Sequence, residues 1–295
     1  MTVTRAGVLG LGAMGAPMAA NLAKHERLGG VWNRTASVAI QLADSLGCAS
    51  ASTPADLAAE CDVLITNVSA DADVLAVVDQ LLPGLSEGKL VLDCSTTSPQ
   101  TAREAAKRVA SKGAQFLDCP VTGGTEGAIN ATLAILVGGE RDAYERALPV
   151  LESLGRRITH MGPVGAGQVT KAVNQIMVAG INQAVSEGMA LAQAESLDLD
   201  AVIATLATGA AGSWFLEQRG PNMRDDTYPL GFKVALHAKD LAICRAIADE
   251  HDVRLPVVEM TLLHYERLLA RDPDAEEDIS SLFRLKREMF ASDDS

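Results

Sequence analysis

Short apolar runs recur along the first 160 positions, at residues 6–9, 30–32, 63–67, 90–93, 114–118 and 133–137. Ala-rich helical stretches separate them, among them 17–24, 36–46, 72–81 and 100–112. Strands alternating with helices of that length predict right-handed βαβ crossovers and a mostly parallel sheet. After Gly162-Pro163 the pattern changes. Residues 167–196 hold no proline and read as one long helix, and no convincing strand follows. Further helical segments fall at 199–206, 235–249, 256–269 and 279–289. The expected domains are therefore 1–163, a strand–helix domain, and 164–295, an all-helical one.

A helix of about 30 residues spans about 45 Å, more than one small domain. Val169, Val173, Ile176, Met177, Ile181, Val185 and Met189 give it apolar surface on more than one side. Such a helix needs cover on several faces. A second copy of the chain is the natural cover, predicting a homodimer or a dimer of dimers; a monomeric bundle wrapped around the helix is the alternative.

Composition narrows the class. The 295 residues suit two domains, and 48% are hydrophobic but only 3% aromatic, so the cores must be built from Ala, Leu, Val and Ile. The net charge of -13 argues against nucleic acid or an anionic membrane as partner. A local basic pocket for a small anion stays compatible with it. Five scattered cysteines (Cys48, Cys61, Cys94, Cys119, Cys244) form no CxxC pair, so reduced, buried thiols are expected, and no metal site. The apolar start is too short for a signal sequence, and no apolar run reaches the ~18 residues of a membrane span. A cytoplasmic protein is expected. The acidic run 272–278 reads as a solvated loop.

The chemistry begins at Gly10-Leu11-Gly12-Ala13-Met14-Gly15, a GxGxxG directly after a strand and before a helix. Gly10 permits the tight turn, Gly12 lets the backbone approach a pyrophosphate, and Gly15 lets helix and strand pack closely. The helix N-terminus then offers amide N–H groups to phosphates. In that strand–turn–helix context the motif predicts a Rossmann-type, doubly wound dinucleotide-binding domain. An NAD site usually carries an acidic residue at the end of the second strand, whereas here Asn33-Arg34-Thr35 stands there. Arg34 suits a 2′-phosphate, so NADP is expected, with NAD possible; an ordinary surface charge is the competing reading. Val68, Ser69, Ser95 and Thr96 follow later strands, where crevice-lining and turn-capping roles are equally open.

Thr122-Gly123-Gly124 follows another strand, and its exposed amides and hydroxyl suit a substrate carboxylate, or a plain turn. On the long helix Lys171, Asn174 and Gln175 occupy i, i+3 and i+4 and share a face. Reduction of a carbonyl by hydride leaves an alkoxide that needs a proton, and an ammonium can supply it while stabilising the charge. A solvated lysine is the alternative. Trp214, Phe215 and Phe232 could exclude water, Lys239 could reach the cofactor, and His237 reads as structural.

These residues resemble the β-hydroxyacid dehydrogenases, the family of 3-hydroxyisobutyrate dehydrogenase and tartronate semialdehyde reductase, over nearly the full length. The likeness rests on Gly10 to Met18 through Asn21, Asp93-Cys94-Ser95-Thr96 with Pro99, and Asp118 to Gly124. It continues through Gly165-Ala166-Gly167, Lys171 to Gln175 and Lys239-Asp240. The resemblance implies a Rossmann domain, a helical domain, a long interdomain helix used in dimerisation, and Lys171 as catalytic acid/base. It assigns Thr122, Gly123 and Gly124 to the substrate carboxylate, Asn174 or Gln175 to the reacting centre, and Thr96 and Lys239 to the nicotinamide end. Members commonly carry Ser where Thr122 stands and Asn where Gln175 stands, which leaves the substrate open. The expected reaction is hydride transfer between NADP(H) and a small 3-hydroxy acid or its semialdehyde. An imine reductase on the same fold, or a non-catalytic NADP-binding module, are the rivals; the first generally lacks the lysine.

Overall fold

The structure is a computed structural model that describes residues 4–271 and 276–290. It divides between Lys171 and Ala172 into two compact units.

The first unit runs β1 (Ala6–Leu9), α1 (Gly15–Lys24), β2 (Leu28–Trp32), α2 (Ala36–Leu46), β3 (Ala49–Ser50), α3 (Pro54–Glu60), β4 (Val63–Thr66) and α4 (Asp71–Leu81). It continues with β5 (Leu90–Asp93), α5 (Pro99–Ala110), β6 (Gln115–Asp118), β7 (Val121–Thr122), α6 (Gly124–Ile129), β8 (Leu133–Gly138), α7 (Arg141–Leu151) and β9 (Gly155–Gly162). Strand order is β3-β2-β1-β4-β5-β6-β8-β7, with β9 added on β8. From β3 to β6 every pairing is parallel. The chain reverses its direction of travel across the sheet at β1, so the β1 and β4 carboxyl ends form the switch point where doubly wound sheets bind ligands.

Alternation along each strand feeds two separate cores. Val8, Val63, Ile65, Leu90 and Leu92 pack with Met18 and Leu22 of α1 and Ala143 and Val150 of α7. Leu9, Leu64 and Val91 pack on the other face with Leu57 of α3, Val74 and Val78 of α4, and Ala102 and Val109 of α5. Burial on both faces is why these strands read as continuous apolar runs. The exception is β9. It carries Arg156, Arg157 and His160, and the sequence pattern misses it because its side chains from Arg156 onward are exposed or half-buried.

A helix of 29 residues, α8 (Ala166–Ala194), leads from the first unit into the second. There follow α9 (Leu199–Leu206), α10 (Trp214–Arg224), α11 (Val234–Asp249), α12 (Pro256–Arg271) and, after a 3-10 turn at Ile279–Ser281, α13 (Leu282–Glu288). No apolar pattern announces α10, because Gly220-Pro221 interrupts it; Ser213 caps its start, accepting from the Leu216 N–H at 3.1 Å. The second core also buries polar groups that are bonded across it. Asn182 donates to the Ile279 carbonyl at 2.8 Å and the Tyr265 hydroxyl at 3.1 Å.

The acidic run 272–278 is not uniformly solvated. Residues 272–275 lie outside the described residues, but Asp278 is fully buried. It accepts from the Phe232 N–H at 2.9 Å and the Ser280 hydroxyl at 2.6 Å, and Arg219 stands 3.4 Å away. A carboxylate so provided for can sit in a core where a bare one could not. No helix among the described residues is long and apolar enough to cross a membrane.

Candidate active site

The glycine turn after β1 shows why each glycine is needed. At Gly10 (φ +89°) a Cβ would stand 2.2 Å from the Asn67 carbonyl oxygen, and at Gly15 it would stand 1.9 Å from the Gly10 carbonyl oxygen. At Gly12 it would meet nothing within 4 Å. Two glycines therefore serve close packing, and the third borders open space. The start of α1 just beyond carries no side-chain cap, in contrast to α3, α5 and α10. An uncapped helix start beside an open glycine, at the switch point of the sheet, fits the pyrophosphate of a dinucleotide. Leu11 is buried, Gly12 and Ala13 are exposed and Met14 is half-buried. Asn33 supports this loop: its Oδ1 accepts from the Leu11 N–H at 3.0 Å and its Nδ2 donates to the Thr35 carbonyl at 3.2 Å. Thr35 stands at the start of α2 without a side-chain cap bond. Arg34 is exposed, with Nη1 3.3 Å from Oδ1 of Asp73 on α4.

Beyond the glycine turn, the ends of β4, β5 and β6 are tied together by a polar network. Asp93 Oδ1 accepts from the Thr66 hydroxyl at 2.8 Å and the Ser95 N–H at 3.2 Å. The Ser95 hydroxyl accepts from the Val68 N–H at 2.9 Å, so Val68 and Ser95 are joined; Ser69 is exposed. Asp118, at the end of β6, accepts from the Gly165 N–H at 2.7 Å and the Gln168 N–H at 2.9 Å. The Gln168 side chain reaches on, donating to the Ser95 carbonyl at 2.8 Å and accepting from the Thr97 N–H at 3.1 Å. Thr96 lies between those two bonds and is half-buried, while Ser95 and Thr97 are buried. Burial raises the Asp118 carboxyl above its ordinary range, opposed by the backbone N–H groups it accepts. Burial likewise pushes Asp93 up to about 6, against hydrogen bonds from Ser95 and Thr66.

Thr122 pairs with Ala134 in the sheet and is half-buried; Gly123 (φ +129°) and Gly124 (φ +64°) are exposed, with open space at the Gly124 Cβ position. Lys171 is 8% exposed, on the second turn of α8. In the second unit Asn174, Gln175 and Lys239 are brought together by Asp240, a residue not picked out alone from the sequence. Asn174 Nδ2 donates to Gln175 Oε1 at 2.8 Å, Gln175 Nε2 to Asp240 Oδ2 at 2.7 Å, and Lys239 Nζ lies 3.1 Å from Asp240 Oδ1.

Other candidates take structural places. His237 is fully buried, its Nδ1 2.9 Å from the Tyr265 hydroxyl and its Nε2 3.2 Å from the Gln175 carbonyl. Phe215 is core, whereas Trp214 is exposed with the Arg219 guanidinium 5.1 Å above its ring. All five cysteines are free thiols; Cys48 is only half-buried, the other four buried. Burial raises Cys61 to about 11 and Cys94 and Cys119 further, which removes the thiolate a nucleophile would need. Among the described residues no cluster is composed to hold a metal ion.

Comparison with known proteins agrees with this fold. Residues 5–162 match the family model of the NAD binding domain of 6-phosphogluconate dehydrogenase. Residues 165–286 match the model for NAD-binding of NADP-dependent 3-hydroxyisobutyrate dehydrogenase. The NAD-dependent L-serine dehydrogenase of Pseudomonas aeruginosa is 36% identical over 289 residues, covering 94% of this chain and 96% of that one. The 2-hydroxy-3-oxopropionate reductase of Escherichia coli is 38% identical over 255 residues, covering 85% and 86%. The solved structure of Mycobacterium tuberculosis 3-hydroxyisobutyrate dehydrogenase with L-serine superposes with a TM-score of 0.88 at 31% identity, covering 97% of this chain and all of that one. Fold and site thus define an NAD(P)-dependent oxidoreductase acting on a CH–OH group. Within that class, the chain belongs to the β-hydroxyacid dehydrogenase family.

The raised Asp93 carboxyl has a measurable sign. Between about pH 4, the unfolded value, and about 6, the native state keeps a proton that the unfolded state has released. Stability from this group is therefore full at the acid end and falls as pH rises through that window. Asp93→Asn cannot ionise, so its stability relative to wild type, from urea midpoints at several pH values, should climb between pH 4 and 6 and then level. A difference independent of pH would refute the assignment.

Proposed function

We propose that the enzyme transfers hydride between NADP(H) and a short acid bearing a hydroxyl, or as semialdehyde a carbonyl, on its third carbon, with Lys171 as general acid/base. The observation that carries this reading is the position of Lys171. It is buried one turn beyond Gln168, whose backbone and side chain bond to Asp118 and to the Ser95–Thr97 loop. The substrate class follows from the relatives: 3-hydroxyisobutyrate, L-serine and 2-hydroxy-3-oxopropionate all carry the reacting oxygen on the third carbon and a carboxylate at the first. Thr122, Gly123 and Gly124 are assigned to that carboxylate.

The dinucleotide, when bound, supplies the hydride acceptor or donor. Gly10 to Gly15 and the start of α1 take its pyrophosphate, with Asn33 holding the loop and Val68, Ser69 and Thr96 lining the strand ends. In oxidation the Lys171 amine accepts the hydroxyl proton as the hydride leaves its carbon; in reduction the ammonium returns a proton to the forming alkoxide. On α8, Asn174 and Gln175 follow Lys171 by three and four residues, and with Lys239 they are assigned to orienting the reacting groups. A buried lysine at this position favours the hydroxyacid reaction over imine reduction, and over a module that only binds NADP.

The preference for NADP rests on Arg34 and on the lack of an acidic residue at the end of β2. Asp73 competes for the guanidinium, but the Arg34 side chain is 86% exposed in that pair. Exposed pairs contribute about 0–1 kcal/mol, so Asp73 holds Arg34 only weakly. A 2′-phosphate, with more charge and a bidentate geometry open to it, meets little competition there. A reduced-thiol, acidic chain suits the cytoplasm. The exposed stripe Val173, Met177 and Ile181 on α8, one residue per turn, is proposed as the seam of a homodimer.

Lys171→Ala should cut turnover by about 100-fold or more, with NADPH affinity, followed by its fluorescence, within a factor of about three; retained turnover sinks the proposal. Arg34→Ala should lower kcat/KM for NADPH by about 10-fold or more, in line with a lost charged hydrogen bond, and barely change it for NADH. Equal losses would remove the 2′-phosphate assignment. Light scattering at micromolar concentration should give a dimer, and a stable monomer would refute the seam.

A further inference from the structure

The side chain of Gln168 answers to no step of the proposed chemistry, yet it is 1% exposed and bonded at both ends of its amide. Its Nε2 donates to the Ser95 carbonyl and its Oε1 accepts from the Thr97 N–H, so one planar group spans the backbone on both sides of Thr96. Thr96 lies between the two bonds and is half-buried, with a buried neighbour on either side. Gln168's own N–H donates to Asp118, and Ser95 is held in turn by Val68 and Asp93. Lys171 follows three residues later, on the same helix face.

We propose that Gln168 is a positioning residue: its amide sets the Ser95–Thr97 loop in register with α8, so that Thr96 and Lys171 keep one fixed separation. This rests on the reading above, in which Thr96 approaches the nicotinamide and Lys171 moves the proton. Hydride and proton are transferred at adjacent atoms, so the loop bearing the one group and the helix bearing the other must hold to a fraction of an ångström. A misplacement of 1 Å can cost about 100-fold in rate. Only a side chain with a donor and an acceptor on one rigid plane, at glutamine's reach, makes both bonds together. Met keeps the volume and makes neither; Glu keeps the acceptor and loses the donor.

The test uses Gln168→Met and Gln168→Glu in the full chain. In the protein without cofactor, Thr97 amide hydrogen exchange should quicken about 10-fold in Gln168→Met, the loss expected for one hydrogen bond, while amides of β1 keep their protection. With NADPH and 2-hydroxy-3-oxopropionate, kcat should fall about 10- to 100-fold. The KM for NADPH should change by less than about three-fold, and the primary isotope effect from 4-deuterated NADPH should rise. Gln168→Glu should not rescue, because its second carboxylate oxygen would face the Ser95 carbonyl oxygen where the amide donor stood. A double-mutant cycle with Thr96→Val should be non-additive, because Gln168 acts through Thr96. Unchanged kcat per folded molecule in Gln168→Met, or additive losses in the cycle, would overturn the inference. An active Lys171→Ala would instead overturn the functional reading on which it rests, so the two failures are distinct.

Discussion

A buried carboxylate at the end of one strand holds the rest of the site in place. Asp118 is fully buried, and an ionised group there is tolerable only because backbone N–H groups converge on it from the start of α8. The exchange is mutual. The first N–H groups of a helix have no partner within it, and the start of this one lies against the sheet. The approach is so close that a side chain cannot be fitted between. A Cβ on Gly167 would stand 2.4 Å from the Leu136 carbonyl oxygen, and one on Gly138 would stand 2.4 Å from Asp118 Oδ1. The Gly165-Ala166-Gly167 signature is thus the imprint of a helix packed directly onto strand ends, and its partner is an aspartate 47 residues earlier in the chain.

From that anchor the placement of the candidate site follows by helix geometry. Gln168 is fixed by its own N–H, so Lys171 one turn on has a set direction and depth. Meanwhile Gln168 reaches β5, Ser95 reaches β4, and Asp93 gathers Thr66 and Ser95. Four chain segments far apart in sequence are thereby locked by short polar contacts in a place with little water to compete. Such networks are stiff when every member is satisfied. Two atoms of this network, Thr97 Oγ1 and Asp93 Oδ2, have no hydrogen-bond partner among the described residues, the second in keeping with a carboxyl that holds its proton above the usual range.

Much of this fold was legible beforehand because its strands are buried on both faces. Runs such as Val63-Leu64-Ile65 need no partner information to be recognised. The elements that escaped have physical reasons: β9 carries polar residues outward, β3 and β7 span two residues each, and α10 holds Gly220-Pro221. In the site, Gly10 and Gly15 were legible because their need is local. Asn33 was legible in position but not in action, since its bond to Leu11 depends on β2 lying beside β1. Gln168 could not be read at all. Its partners are 71 and 73 residues away, and a glutamine in the first turn of a helix carries no mark of a two-ended bond. Within the motif Asp93-Cys94-Ser95-Thr96 the aspartate and serine brace the loop, and the threonine is half-buried between buried neighbours.

The same division of labour bears on Gln175, where members of the family commonly have asparagine. In this chain Gln175 is 1% exposed, and both ends of its amide are engaged, one by Asn174 and the other by Asp240. An asparagine is one methylene shorter, and it could not meet Asp240 from the same helix position without moving α8 or α11. Asp240 would then keep Lys239 as a neighbour but lose a 2.7 Å donor inside a buried region, where an unmet acceptor costs about 1–3 kcal/mol. Glutamine at 175 and aspartate at 240 are therefore one structural choice, made by two helices that meet across the core of the second unit. Asn174, half-buried and tied to Gln175 by its amide nitrogen, keeps its side-chain oxygen clear of that bond.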